Sequence, residues 1–517
     1  MSQSSAFRFS GYLAACALCL AALLSACGKT ATDAATDAAA GNTLRVAFRA
    51  QNPGTLDPHN GTEGSEHVIL WTIFATLLNF DPETLQPTPG LAASWRWVDG
   101  TTLRLALVEG ATFQDGTPLD SAAVKFNLDR LVSGKATIAA DLAAVSSVEA
   151  SGAHEVTLHL KYPSASVLMA LADRAGMMVS PTALERDPRG FARNPVGAGP
   201  YRFVEWVSGD RIRVAKFDKY HVAGEPRLDG ILFRLMPDPE TRLNALRSGD
   251  VDLIYDVDPA SLPTLQQQGN LQTVVSKSLA YFEMYINMAK PPFDQVKVRR
   301  ALSMAIDRHA LIAAVQQGHG EPAWSPMPSS EWAYTPEIAN QPPYDVGQAR
   351  RLLAEAGLPD GFAFKMAFEA GAINERRAEV IQAQLAKINV RVELLPSETA
   401  QAISRYLNGE VPVLNNRWTG RIDPAMTYAS QFARNGFTNV GKHASPALLA
   451  AMAQGESTTD LARRAKAYAT VNRILFEEAF NIPLYFQAGI VAYDKRVHGF
   501  VPNLLSKPRF DGVSLSR

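Results

Sequence analysis

The chain has 517 residues, 47% of them hydrophobic and 20% charged, and its fifty lysines and arginines face fifty-one acids for a formal charge of −1. This is the composition of a soluble globular protein of about three structural units, and it excludes disordered, fibrous and polytopic membrane classes. So even a balance lacks the basic excess that phosphate neutralisation asks of a nucleic-acid binder, and any charge selectivity must be local.

The first segment reads as an address. Arg8 precedes an apolar run from Tyr12 to Leu24, and the small residues Ser25 and Ala26 follow, as in a secretory signal. The run falls short of the ~20 residues that a bilayer span needs. Leu24-Ser25-Ala26-Cys27 is similar to the bacterial lipobox, which implies cleavage after residue 26 and a diacylglyceryl group on Cys27. An ordinary signal peptide cut elsewhere, with Cys27 incidental, is the alternative. Acyl chains, at ~0.8 kcal/mol per buried methylene, would hold Cys27 firmly to a membrane. The Ala/Thr/Asp tract that completes residues 27–41 has little to bury and is expected to be a flexible tether. Cys16, Cys19 and Cys27 are the whole cysteine content, so no disulfide framework crosses the body.

Strand-like and helix-like patterns then alternate, which predicts a mixed α/β fold. Period-two stretches at Leu44–Phe48, Leu103–Leu107 and Val156–Leu160 predict strands, with more near Ile212–Phe217, Ile231–Leu235, Val390–Leu394 and Ile490–Tyr493. Asp120 or Ser121 is placed to cap a helix that carries Val124, Leu128 and Leu131 on one face and stops at Gly134. Long helices are expected over Val298–Gln317, Val346–Ala356 and Leu461–Phe480. The turn-rich run Asn194–Pro200 and the Pro pairs at 291–292 and 342–343 mark joints, with no sharp change of composition at any of them.

Signs of catalysis are sparse. The nine histidines form no His-Glu-x-x-His pair, and there is no Gly-x-Ser-x-Gly elbow or phosphate-binding loop. No catalytic residue, metal site or cofactor is assigned, and only a Ser/His/Asp triad assembled in space is left open. One segment stands out instead: Asn415-Asn416-Arg417-Trp418-Thr419-Gly420-Arg421-Ile422-Asp423-Pro424, between a strand-like Val411–Leu414 and a predicted helix at Ala425–Phe432. Such a loop can present a flat ring and a guanidinium to a ligand. On residue types alone, the competing reading pairs Arg421 with Asp423 or another acid and puts Trp418 in the core.

Six ordered strings resemble the extracytoplasmic solute-binding proteins of bacterial ABC importers of the oligopeptide/dipeptide/nickel type (family 5). They are Thr55–His59, Pro89–Trp95, Ala111–Leu119, Val196–Tyr201, Val298–Arg308 and Ala349–Gly357. The resemblance implies a two-lobed periplasmic-binding-protein fold, of type II with an extra subdomain. Residues 42–70, 196–285 and 490–517 would form a base lobe, 71–195 its extra subdomain and 286–489 the second lobe, with the hinge near 285 and 490. It also implies capture of a solute between lobes, delivery to a permease with a separate ATPase, and a monomeric receptor in the periplasm or cell envelope.

In peptide-binding relatives an acid stands three residues after the tryptophan and holds the peptide amine; here that position is Arg421. A guanidinium repels an ammonium, so the expected ligand presents carboxylate, phosphate or polyol oxygens to Arg421 and an apolar part to Trp418. Asp423 or Glu63 would be the counter-charge if an amine is still bound. Arg417, Gly420, Tyr485 and Phe486 complete the expected binding residues, with Tyr281 and Phe282 behind them. A sensing co-receptor with the same fold, or an anchored hydrolase, are the other functions that the sequence leaves open.

Overall fold

The computed structural model describes residues 42–516, apart from 51, 62–63, 340 and 342–343. The anchor and tether expected over residues 1–41, Cys27 among them, and Glu63 therefore lie outside the described residues.

Two sheets organise the chain. The first has seven strands in the order Leu271–Ser276, Gly489–Asp494, Leu253–Tyr255, Thr43–Phe48, Gly230–Leu235, Arg211–Lys216 and Tyr201–Val207. Thr43–Phe48 runs parallel to both its neighbours, and its residues from Val46 to Phe48 are buried, as a central strand requires. The second sheet has six strands: Gly320–Pro322, Ile482–Gln487, Tyr281–Ile286, Val413–Trp418, Ala363–Glu369 and Arg391–Ser397. A four-stranded antiparallel sheet, Ala92–Asp99, Thr102–Leu107, Glu155–Leu160 and Val145–Gly152, shares one core with the first sheet, whereas the second sheet has its own. The chain is thus two lobes, the first carrying a subdomain.

The chain passes between lobes twice. Leu271–Ser276 ends in the first sheet and Tyr281–Ile286 begins in the second; Ile482–Gln487 ends in the second and Gly489–Asp494 enters the first. The crossings are therefore at 277–280 and 488. The first lies earlier than the expected 285, because every residue of Tyr281–Ile286 pairs with Val413–Trp418. All six residues of that strand are buried, so it offers no period-two contrast by which its sheet could be read.

Capping explains the helix boundaries. Asp120 accepts a hydrogen bond from the Ala123 amide at 3.0 Å and starts Ser121–Val132, and Gly134 closes it in the left-handed region. The single helix expected over Val298–Gln317 is two, Val296–Met304 and Arg308–Gln316. Asp307 breaks it, since its side chain accepts from the Ala310 amide at 2.9 Å and so begins a new helix.

Candidate functional site

The centre of the second sheet presents its two faces differently, because neighbouring residues on a strand point opposite ways. Tyr281 pairs with Trp418 on one side and with Phe486 on the other. Tyr281, Phe486 and Ala323 make a small buried apolar cluster on which Trp418 rests, half-buried, with its indole N–H donating to Thr427 Oγ1 at 3.4 Å. Phe486 is thus the support beneath Trp418. Tyr485 faces the other way. It was expected to line the pocket, but it is fully buried beside Phe282, at 5.3 Å between ring centroids, and its hydroxyl accepts from Arg377 at 3.4 Å. Phe282 likewise lies under the Arg377 guanidinium, 3.6 Å from its ring centroid.

After Trp418 the chain turns sharply. Gly420 has φ +76°, and a Cβ there would stand 2.3 Å from the Leu279 Cβ, so only glycine fits against the interlobe crossing. Ile422 is buried within the core of the first lobe, which carries this loop across the interlobe boundary. Asp423 turns back: it caps helix Pro424–Phe432 through the Ala425 amide at 2.9 Å and pairs with the buried Arg464 at 2.7 Å. Its carboxylate is engaged within the second lobe, which corrects its expected part as counter-charge for a ligand.

Arg417 reaches the opposite lobe. Its guanidinium lies 3.3 Å from Asp256, at the end of strand Leu253–Tyr255, and Asp256 also pairs with Arg49, just beyond Thr43–Phe48. Burial acts to raise the Asp256 pKa, but Arg417 and Arg49 overcome it and hold the carboxyl well below the usual range. The ends of parallel strands and the second lobe thus meet through one shared carboxylate.

Arg421 is different. It makes no hydrogen bond and no ion pair among the described residues, and its guanidinium stands 5.9 Å from the Trp418 ring centroid. It faces acids of the first lobe at longer range, Asp141 and Asp173. Asp173 is engaged with His67 at 2.6 Å, and Glu66 with Arg174 at 2.8 Å. Asp141, in the short helix Ala139–Leu142, has no hydrogen-bonded or ion-paired partner for its carboxylate among the described residues; burial pushes its pKa up to about 6 against the pull of Arg421. Lys507 completes the wall. Burial, with Arg421, Arg174 and Arg49 nearby, brings its pKa down to about 8 despite the attraction of Asp173. Its ammonium has no bonded partner either, and it lines a cavity of about 430 Å³ at the crossings, together with Asp256, Arg417, Gln487, Ser276 and Ser506.

Sequence reasoning reached Trp418, Gly420 and Arg421, but not Asp141, Asp173, Asp256, Arg49 or Lys507. Each of these is a lone charge on a loop or short helix, and no spacing marks it.

Two lobes, two crossings and a cleft lined by unpaired charges define a protein that holds a small ligand between its halves. Residues 86–439 match the profile of the bacterial extracellular solute-binding proteins, family 5, middle region. The chain is 30% identical over 468 residues to the glutathione-binding protein GsiB of Shigella flexneri, covering 86% of this chain and 89% of that one. GsiB of Salmonella paratyphi A is 30% identical over 495 residues, 92% of this chain and 95% of its own. Among solved structures, AgaA of A. tumefaciens in complex with agropinic acid superposes with TM-score 0.81 at 27% identity, over 92% of this chain and 99% of that one. DppA of Helicobacter pylori in complex with the peptide STSA, at TM-score 0.82 and 24% identity over 92% and 98% of the two chains, shares the fold. The chain belongs to the family 5 bacterial extracellular solute-binding proteins. It is an extracytoplasmic solute receptor of the ABC-importer type.

Proposed function

We propose that the protein captures a peptide-like anionic solute, seating a carboxylate on Arg421 and an apolar part on Trp418. It then delivers the solute to a membrane permease that a separate ATPase powers, acting as a monomer held to the membrane by lipid on Cys27. The observation that carries this is the Arg421 guanidinium, unpaired among the described residues and stationed 5.9 Å over a half-buried tryptophan. Every other arginine named around the cleft has an acid of its own. A guanidinium left without a partner is a ready two-pronged donor for a carboxylate. Because solute touching both lobes favours the closed arrangement by its differential contacts, capture and closure are one event. Relatives named for glutathione, agropinic acid and a peptide support a solute of this kind.

The test is a thermal-shift screen of anionic peptide-like solutes, followed by calorimetric titration of the best one. Arg421→Gln should weaken that solute by about tenfold or more with the unfolding midpoint of the free protein unchanged. An unaltered affinity would overturn the assignment of Arg421. Labelled-lipid incorporation that disappears in Cys27→Ser tests the anchor.

A further inference from the structure

Charge accounting in the cleft takes the reading of Arg421 further, and rests on it. Among the described residues the acids and bases of the two walls are mostly matched within the protein: Asp173 with His67, Glu66 with Arg174, Asp256 with Arg49 and Arg417, Asp423 with Arg464. Three groups are left over: the Arg421 guanidinium, the Lys507 ammonium and the Asp141 carboxylate make no hydrogen bond or ion pair with the described residues. They belong to one region, because Arg421 feels Asp141 and Lys507 feels Arg421. Leaving such ions unpaired in a partly desolvated cleft costs stability that a ligand of opposite pattern restores.

We infer that the solute carries two carboxylates and one ammonium, with one carboxylate on Arg421, the other on Lys507 in the crossing-side cavity, and the ammonium on Asp141. The cavity supports the second carboxylate site independently of the charges. It holds about 430 Å³, room for a peptide arm, and among its lining groups the Ser506 hydroxyl is buried with no hydrogen-bond partner. A carboxylate oxygen beside Lys507 would accept the hydrogen bond that this hydroxyl has to give. The pattern is also selective: simple dicarboxylates leave Asp141 unmatched, and neutral dipeptides leave Lys507 unmatched.

The test is calorimetric titration of the full chain with glutathione, γ-glutamylglycine and aspartylalanine, each against its C-terminal ethyl ester and its N-acetyl derivative. The wild-type comparison needs no variant: each derivative should bind about tenfold or more weakly than its parent. Lys507→Gln should weaken the free peptides and leave the esters alone, while Asp141→Asn should weaken the free peptides and leave the acetylated forms alone. Derivatives that bind as tightly as their parents, or variants that weaken all forms alike, would overturn the inference. Failure of all three parents at about 1 mM would overturn it too. The reading of Arg421 falls with it only if singly charged peptides and plain dicarboxylates also fail to bind, or bind Arg421→Gln equally well.

Discussion

Glu283 is a carboxyl with nothing to balance it. It sits fully buried in the middle of strand Tyr281–Ile286, flanked by Tyr281 and Tyr285, and neither of its oxygens has a hydrogen-bond partner in good geometry. Burial pushes its pKa up to about 8, with the surrounding tyrosine, asparagine and glutamine groups only partly offsetting it. A raised folded-state pKa means that the folded protein binds the proton more tightly than the unfolded chain. The associated stability is therefore complete below about pH 4.5 and is lost as pH rises to about 8. Glu283→Gln keeps the shape and abolishes the titration. It should raise the unfolding midpoint at pH 8 and change it little at pH 5. A midpoint difference that does not depend on pH would show that Glu283 is not the group responsible. Asp423 teaches the opposite lesson. Asp-Pro ahead of an apolar stretch is a helix start in any sequence, and Asp423 obeys that local rule rather than the pocket role suggested by its place in the loop.

At the level of elements, strands and helices marked by local chemistry were legible: the period-two strands, the Asp120 cap, the Gly134 stop and the helix after Pro424 all lie where the residues predict them. What was not legible depends on distant partners. Tyr485 and Phe486 are adjacent in sequence and equally apolar, yet one enters the lobe core and the other supports Trp418, and only the pairing with Tyr281–Ile286 decides which. The C-terminal segment Leu504–Pro508 gives no signal of any site, but it places Lys507 opposite Asp173, Arg421, Arg174 and Arg49. This yields a pH prediction. The charged form of Lys507 is disfavoured in the fold, so its pKa is about 8, and an anion bound to it would restore the proton. Affinity for the dianionic peptide should be flat below about pH 8 and fall above it, with proton uptake on binding visible as a buffer-dependent heat. Lys507→Gln should remove both the slope and the uptake; their persistence in that variant would assign them to another group.

Across the whole molecule, the lobes are tied at two places. One is the Arg417–Asp256 contact beside the crossings. The other joins the extra subdomain to the second lobe: Ser164 and Ser166 donate to Glu456 Oε2 at 2.6 and 2.9 Å, and the Ala165 amide donates to the Glu456 carbonyl at 3.0 Å. These partners are about 290 residues apart, so no local pattern could have joined them. Burial, with Asp423 nearby, pushes the Glu456 pKa up, and the two hydroxyls and Arg464 work against it. The contact exists only when the lobes are together, so its energy counts toward closure and not toward the folding of either lobe. A hydrogen bond to a charged group is worth about 1.5–3 kcal/mol. Replacing both serines by alanine should therefore shift the population toward the open form and raise solute off-rates by about tenfold or more. On-rates and the unfolding midpoint of the free protein should barely move. Solution scattering of the free protein and stopped-flow release of solute measure the two effects, and a double variant that closes and releases as the wild type does would show that the latch contributes nothing to closure. Because Glu456 also meets Tyr468 and Arg464, at 3.4 and 3.7 Å, and Arg464 holds Asp423 at the foot of the Arg421 loop, the latch and the solute site share one network. Loss of the latch should therefore loosen an anionic peptide more than a neutral one.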